Sequence, residues 1–364
     1  MNNTSSAPRW SELEQGDPLA DAVIEDWLQA TPQDHIYLKE GMTNGVKSIP
    51  HAPESYRKFL QSTEIFLDRA PSLDQAAQAY LLAGPLWISI SLGPGALLHT
   101  YTDPAIARTL VGTGKLVNEA AARRLSETQL WFLKLLEPDA WRIGGSGYVH
   151  TLQVRLIHAK VRASLLRKTG QNSGDGLPID LRQMVRTWLD FSIVSPHALE
   201  RLGIGWNEEE RIQVAHLWHL VGELLGIPSD LMSKLSQPGD ALAWLGRFNQ
   251  EIPRPDENAR LLTLSMLEAL GQRMSLAMKL PKDVAISLMH GFARQIHGEA
   301  LADAMGASDT SLTALIPTYI NANRYHMQQI REYNDYKKAA LEQSTAQIKA
   351  ICAQIDGSAA YQEN

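Results

Sequence analysis

A single cysteine, Cys352, in 364 residues excludes an intrachain disulfide and any structural zinc site built on several thiolates. It fits a reducing compartment. The formal net charge of −6 gives no reason to expect nucleic acid or an anionic membrane as partner, since both recruit clustered Lys and Arg. Convincing alternating strands are scarce, and no Gly-rich phosphate fingerprint of a nucleotide-binding strand–turn–helix unit occurs. The opening MNNTSSAPRWSELEQGD (1–17) lacks both a basic start and an apolar run. No secretory, twin-arginine or mitochondrial signal is therefore expected, and the expected location is cytoplasmic.

A further absence tests that expectation. From Gln75 to Thr102 there is no Asp, Glu, Lys or Arg, and AYLLAGPLWISISLGPGALLHTYT is long enough to span a bilayer. It is interrupted by Gly84-Pro85 and again by Gly93-Pro94-Gly95, which leaves pieces of about ten residues. Such pieces suit buried helices meeting at turns, and no membrane span is expected.

What is present is helical periodicity in an ordinary globular composition, 44% apolar and 20% charged, so the chain reads as all-α. Three regions are expected: an N-terminal arm over 1–50, a main domain over 51–310, and a polar helical tail over 311–364. Within the main domain, helical runs start at Pro53, Ala120, Thr151, Asp180, Glu208 and Val284. KTGQNSGDGLP (168–178) is a loop by composition.

Four groups of residues carry possible chemistry. Thr151, Arg155, His158 and Arg162 share one side of a helix beside the apolar stripe Val154, Ile157 and Val161. Arginines so close repel unless an anion compensates, and Arg suits forked recognition of carboxylates. The plainer alternative is a core histidine between arginines that reach solvent or pair with acids. His216, His219 and Glu223 lie near one face and offer a non-haem metal site, although the paired Glu-x-x-His pattern of a di-metal bundle is missing. His290, Arg294 and His297 form a third row, with Gly291 and Gly298 permitting close approach of a helix or flat ligand. Glu127, beside Arg123 and Arg124, is a general base if buried and a salt bridge otherwise.

VRLIHAKVR (154–162), PID, TWLDFSIV and LERLGI between Pro178 and Ile204, HLWHLVGELLGI (216–227) and GEALADAMG (298–306) occur in the order found in one known family. TLVGTGKL (109–116) and RRLSET (123–128) fit as well. From Leu81 to Gly306 the chain resembles the family that unites latex clearing protein, a rubber oxygenase, with the MpaB oxygenase. The resemblance implies a globin-like helical bundle around a central pocket for haem b, and dioxygen-dependent attack on a hydrophobic substrate. In such chemistry the protein sets iron ligation, pocket polarity and access.

The resemblance also implies an iron-ligating His directly after the Thr187-Trp188 pair, where this chain has Leu189. The expected iron ligand is then His158, followed by His150, His216 and His219. Arg155 and Arg162 would pair with the haem propionates, with Trp188 and His216 beside the cofactor, and Glu127, Thr151 and Arg155 would serve catalysis as polar groups of the pocket. The expected substrate is a hydrophobic small molecule. Two alternatives stand beside it: a non-haem metal oxygenase on His216, His219 and Glu223, and an inert ligand-binding protein with the same helical shell.

Overall fold

The computed structural model describes residues 10–69, 72–112, 119–169, 176–235 and 238–358. Every regular element among them is helical. Capping residues set many of the starts. Asp17 accepts from Ala20 N ahead of α1 (Pro18–Leu28), and Thr31 and Asp34 form a reciprocal capping box at α2 (Pro32–Asn44). There follow α3 (Glu54–Arg69), α4 (Asp74–Ala83), α5 (Pro85–Ile90), a π-helical turn Ser91–Leu97, α6 (Leu98–Tyr101), α7 (Pro104–Gly112), α8 (Glu119–Lys134) and α9 (Ser146–Thr169). Next are α10 (Leu181–Leu189), capped by Asp180, a second π turn Asp190–Val194, α11 (Ser195–Arg201), α12 (Glu208–Leu224), capped by Asn207, α13 (Ser229–Lys234) and α14 (Pro238–Glu251). The chain closes with α15 (Glu257–Met278), α16 (Lys282–His297), α17 (Glu299–Ala304), α18 (Ile316–Glu332) and α19 (Asn334–Ser358).

The charge-free segment shows where local sequence rules gave way to packing. At Gly84, with φ of 82°, the chain turns, and α4 meets the helix beginning at Pro85 at 92°, as the Gly-Pro signal predicts. At Gly93-Pro94-Gly95 no turn forms: the helix runs on from α5 to α6 through the π turn. The wider π register accommodates the missing Pro94 N–H. The two glycines are needed because a Cβ on Gly93 would strike Leu270 and one on Gly95 would lie 3.0 Å from the Ala198 Cβ. The segment from Ser91 to Tyr101 is buried apart from the half-buried Leu97. No single described helix is long and apolar enough to cross a membrane, and this bent pair is the one combination that passes on length and composition.

Two apolar cores result. One gathers α1, α3, α4, α8, α9, α10 and α12, and the other is built chiefly on α15 and α16. The two π turns pack against each other at the junction. The expected single run over 284–306 is broken at Gly298, whose φ of 80° separates α16 from α17. The expected tail helix is two helices, bent at Tyr333, and α19 returns to α4, with Ile348 and Cys352 buried in the first core. The loop expected over 168–178 lies for the most part outside the described residues, as do the ends of the expected arm and tail.

Candidate functional site

Between α6, α7, α8, α9, α10 and α12 lies a cavity of about 270 Å³. Its aromatic wall is Trp131, Trp188, Phe191 and Trp218, with Trp131 and Phe191 centroids 5.9 Å apart and Phe191 and Trp218 6.0 Å apart. Each indole N–H is satisfied within the wall. Trp188 Nε1 donates to Trp218 O at 2.7 Å, Trp218 Nε1 to Tyr80 Oη at 2.9 Å, and Trp131 Nε1 to Thr151 Oγ1 at 3.2 Å. Consequently the rings present apolar faces to the space.

Helix α9 supplies Val154, Ile157, His158 and Val161 to the same cavity. His158 lies at the border between this apolar stripe and the arginine side of the helix. Its Nδ1 is sealed from solvent and has no hydrogen-bond partner. Burial, reinforced by the charges of Arg124 and Arg162, lowers its pKa to about 4, against the weaker opposite pull of Asp17. The imidazole is therefore neutral at pH 7, the form that ligates a metal.

Arg155 and Arg162 lie elsewhere. Neither lines the large cavity. Arg155 grips Asp17 through Nε (2.6 Å) and Nη2 (2.9 Å), and Arg162 grips Asp21 through Nη2 (2.8 Å). The compensating anions are thus side chains of α1 and its cap, and propionate pairing loses its geometric basis at these two positions. Thr151 does not line the cavity either: it is fully buried behind Trp131, as the acceptor for its indole N–H. His216 is exposed on α12, outside the cavity, which separates it from a cofactor there. His219 stands 3.8 Å from Glu223, but Glu223 accepts from Ser229 Oγ, and no cluster of three metal-ligating side chains exists among the described residues. The metal site expected on His216, His219 and Glu223 is therefore not assembled. His150 donates from Nδ1 to the Ser146 carbonyl at 2.8 Å, a helix-internal contact.

Glu127 does line the cavity, held by Arg124 at 2.7 Å and Arg123 at 3.3 Å. The salt-bridge alternative is thus formed, on a carboxylate that also faces the cavity. Thr128, Gln183, Thr187 and Arg124 complete the polar lining together with Thr100 and Thr109. Leu189 is fully buried and does not line the cavity, whereas Thr187 and Trp188 do, so position 189 is not the place from which a side chain reaches this space.

A buried polar cluster borders the site, joining His297 of the third row to Arg186, Asp190 and His99, which no motif in the sequence marks. Arg186 and Asp190, both at zero exposure, pair across one helical turn at 3.2 Å. His99 donates from Nδ1 to Asp190 Oδ1 at 2.7 Å, and Thr100 donates to Oδ2 at 2.8 Å. His99 stacks on His297, whose Nε2 meets the Pro94 and Gly95 carbonyls of the first π turn. The available signal was an Arg and an Asp four apart in the otherwise apolar MVRTWLDFSIV, where lone charges need partners. Ile179, next to the cap of α10, has φ of 53°, a strained value for a β-branched residue. It is held there by Arg162 Nη1 on its carbonyl and by Gln183 Oε1 on its N–H.

No curated protein matches the chain by sequence. Among solved structures, one of latex clearing protein LCP in the closed state superposes with a TM-score of 0.68 at 21% identity, over 91% of this chain and 89% of that one. At that identity the match speaks to the shared helical fold. The model of the ER-bound oxygenase mpaB/B'/rubber oxygenase catalytic domain matches residues 82–322, the stretch that carries α9, α10 and the whole cavity lining. On that match the chain belongs to the mpaB/rubber oxygenase catalytic-domain family.

Proposed function

We propose that this protein is a haem-dependent oxygenase that uses dioxygen on a hydrophobic small molecule. The observation that carries the proposal is His158, a buried neutral imidazole in the wall of a largely apolar cavity with a cluster of aromatic rings. The residues fit a flat apolar group with an acidic edge. Five aromatic side chains, Tyr101 among them, contribute to the lining, His158 offers a nitrogen ligand, and Arg124 offers a cation. Arg155 and Arg162 are spent on Asp17 and Asp21, so Arg124, which faces the cavity although it also pairs with Glu127, is the cation on the lining for such an edge, and Trp188 remains beside the cofactor.

Haem iron, when bound, supplies dioxygen binding and activation. The chain's own part is to hold, exclude and move protons. The aromatic wall keeps water from the reacting groups, which strengthens every electrostatic contact inside. Glu127 Oε1 or Oε2 can take a proton from an activated substrate carbon, with Arg124 stabilising the carboxylate beforehand. Thr187 and Thr128 offer hydroxyl groups that orient a polar substituent.

The proposal predicts a Soret band in protein produced with ample haem, lost or strongly shifted in His158→Ala. A colourless, iron-free preparation with a stoichiometric lipid-like molecule in its mass spectrum overturns it in favour of an inert binding protein.

A further inference from the structure

A second, much smaller cavity of about 20 Å³ adjoins the first and shares His158, Ile179, Met184 and Leu225 with it. Gly16, Asp17, Arg155, Arg162, Leu181 and Gly226 complete its lining. His158 is thus shared between a large apolar chamber and a small charged rear chamber. Two glycines keep the rear chamber open: a Cβ on Gly226 would come within 2.5 Å of Asp17 Oδ2 and 2.8 Å of Arg155 Nε, and one on Gly16 within 2.7 Å of Asp21 Oδ2. The volume suits one water molecule, which needs two to four polar partners to be held. Two such partners are available among the lining residues: His158, whose buried Nδ1 has no hydrogen-bond partner, and the Asp17 carboxylate.

We propose that the rear chamber is a specific water site in which one water accepts the Nδ1–H of His158 and donates to Asp17, fixing the imidazole tautomer. The guanidinium donors of Arg155 and Arg162 are already engaged with Asp17, Asp21 and the Leu224 and Ile179 carbonyls, so the acceptor-only carboxylate sets the direction and orients the water with its lone pair toward Nδ1. Nε2 is then left unprotonated, as a ligand nitrogen must be. Asp17 acts as a positioning residue, and the segment ahead of α1 becomes part of the site. That segment is itself anchored on α10, where Leu181 N donates to Gln15 O and Arg182 N to Leu13 O. The purpose assigned to the tautomer rests on the proposed role of His158; the water site does not.

Long-range ¹H–¹⁵N spectra of the full chain labelled with ¹⁵N-histidine, free of added haem at pH 7, read the tautomer directly. His158 is assigned by the signals lost in His158→Gln. Wild type is expected in the Nδ1–H form by on the order of tenfold, the scale of one charge-assisted hydrogen bond. Asp17→Ser, which keeps a side-chain cap for α1, is expected to bring the two tautomers near parity. Ser55→Ala removes the hydrogen bond that Ser55 donates to Asp26 of α1 without touching the lining of the rear chamber, and is expected to leave the ratio unchanged. An Nε2–H majority in wild type overturns the proposal even if neither variant folds, and so does an equal shift in both variants, which would signify general loosening. An Nδ1–H majority in a chain that never takes up haem sustains the water site while removing the proposed function.

Discussion

The polar row on α9 divides by a fraction of a helical turn. His158 lies nearest the Val154, Ile157 and Val161 stripe and follows it into the large cavity, while Arg155 and Arg162 fall on the far edge and meet Asp17 and Asp21. Spacing shows that all of them share a side of the helix, but not where the boundary between two environments runs. The anions that settle it lie more than a hundred residues upstream, at a separation that no local pattern encodes. Glu127 was legible for a different reason: it follows Arg123 and Arg124 at helical spacing, so its partners are local. Its proposed role has a simple test. Glu127→Gln keeps the shape of the side chain and its place beside Arg124, yet removes the proton acceptor. Turnover is expected to fall by about a hundredfold or more with the cofactor absorbance unchanged, and retained turnover would leave Glu127 a wall residue only.

Helix types and most boundaries were readable because capping residues, prolines and apolar periods agree with one another, as at Asp17-Pro18, Thr31-Pro32 and Asn207. The errors fell where a neighbouring element overrides local preference. Gly93-Pro94-Gly95 has the chemistry of a break, but the surrounding helices hold it as a π turn. The opposite lesson holds at Gly271 in α15, which attracts no notice in sequence yet sets how closely α15 and α16 approach. A Cβ there would lie 2.7 Å from Ile286 Cα and 2.9 Å from its backbone N. Backbone cannot rotate out of the way as a side chain can. Gly271→Ala is therefore expected to destabilise the protein by roughly 1–3 kcal/mol, despite the better helix propensity of Ala. Denaturant titration checks this; a neutral or stabilising result would mean that the two helices separate freely.

At the scale of the whole molecule, the two cores meet where the π turns pack, and His297 fastens that meeting point. It belongs to α16 of the second core, while the carbonyls it faces, Pro94 and Gly95, belong to the chain that also feeds the first. Burial, assisted by the neighbouring His99, lowers its pKa to about 4, although the carbonyl contacts and Asp190 oppose the shift. In the unfolded chain the same group takes up its proton near pH 6.5. Between those two values the unfolded state binds more protons, so this contribution is complete above about pH 6.5 and is lost as the pH falls toward 4. His158, also lowered to about 4, acts in the same direction. Asp180, raised to about 6 by burial, acts in reverse: its share is complete below its unfolded value and is lost as the pH rises through 6. Two depressed histidines against one raised carboxylate leave a net gain of stability with rising pH, up to about 1.4 kcal/mol per pH unit for each unmatched proton. Melting temperature should accordingly climb between pH 4 and 6.5. His297→Gln keeps an N–H donor for the Pro94 carbonyl and removes one titrating site, so it should flatten that climb, and an unaltered slope would show that the seam between the cores does not govern acid stability.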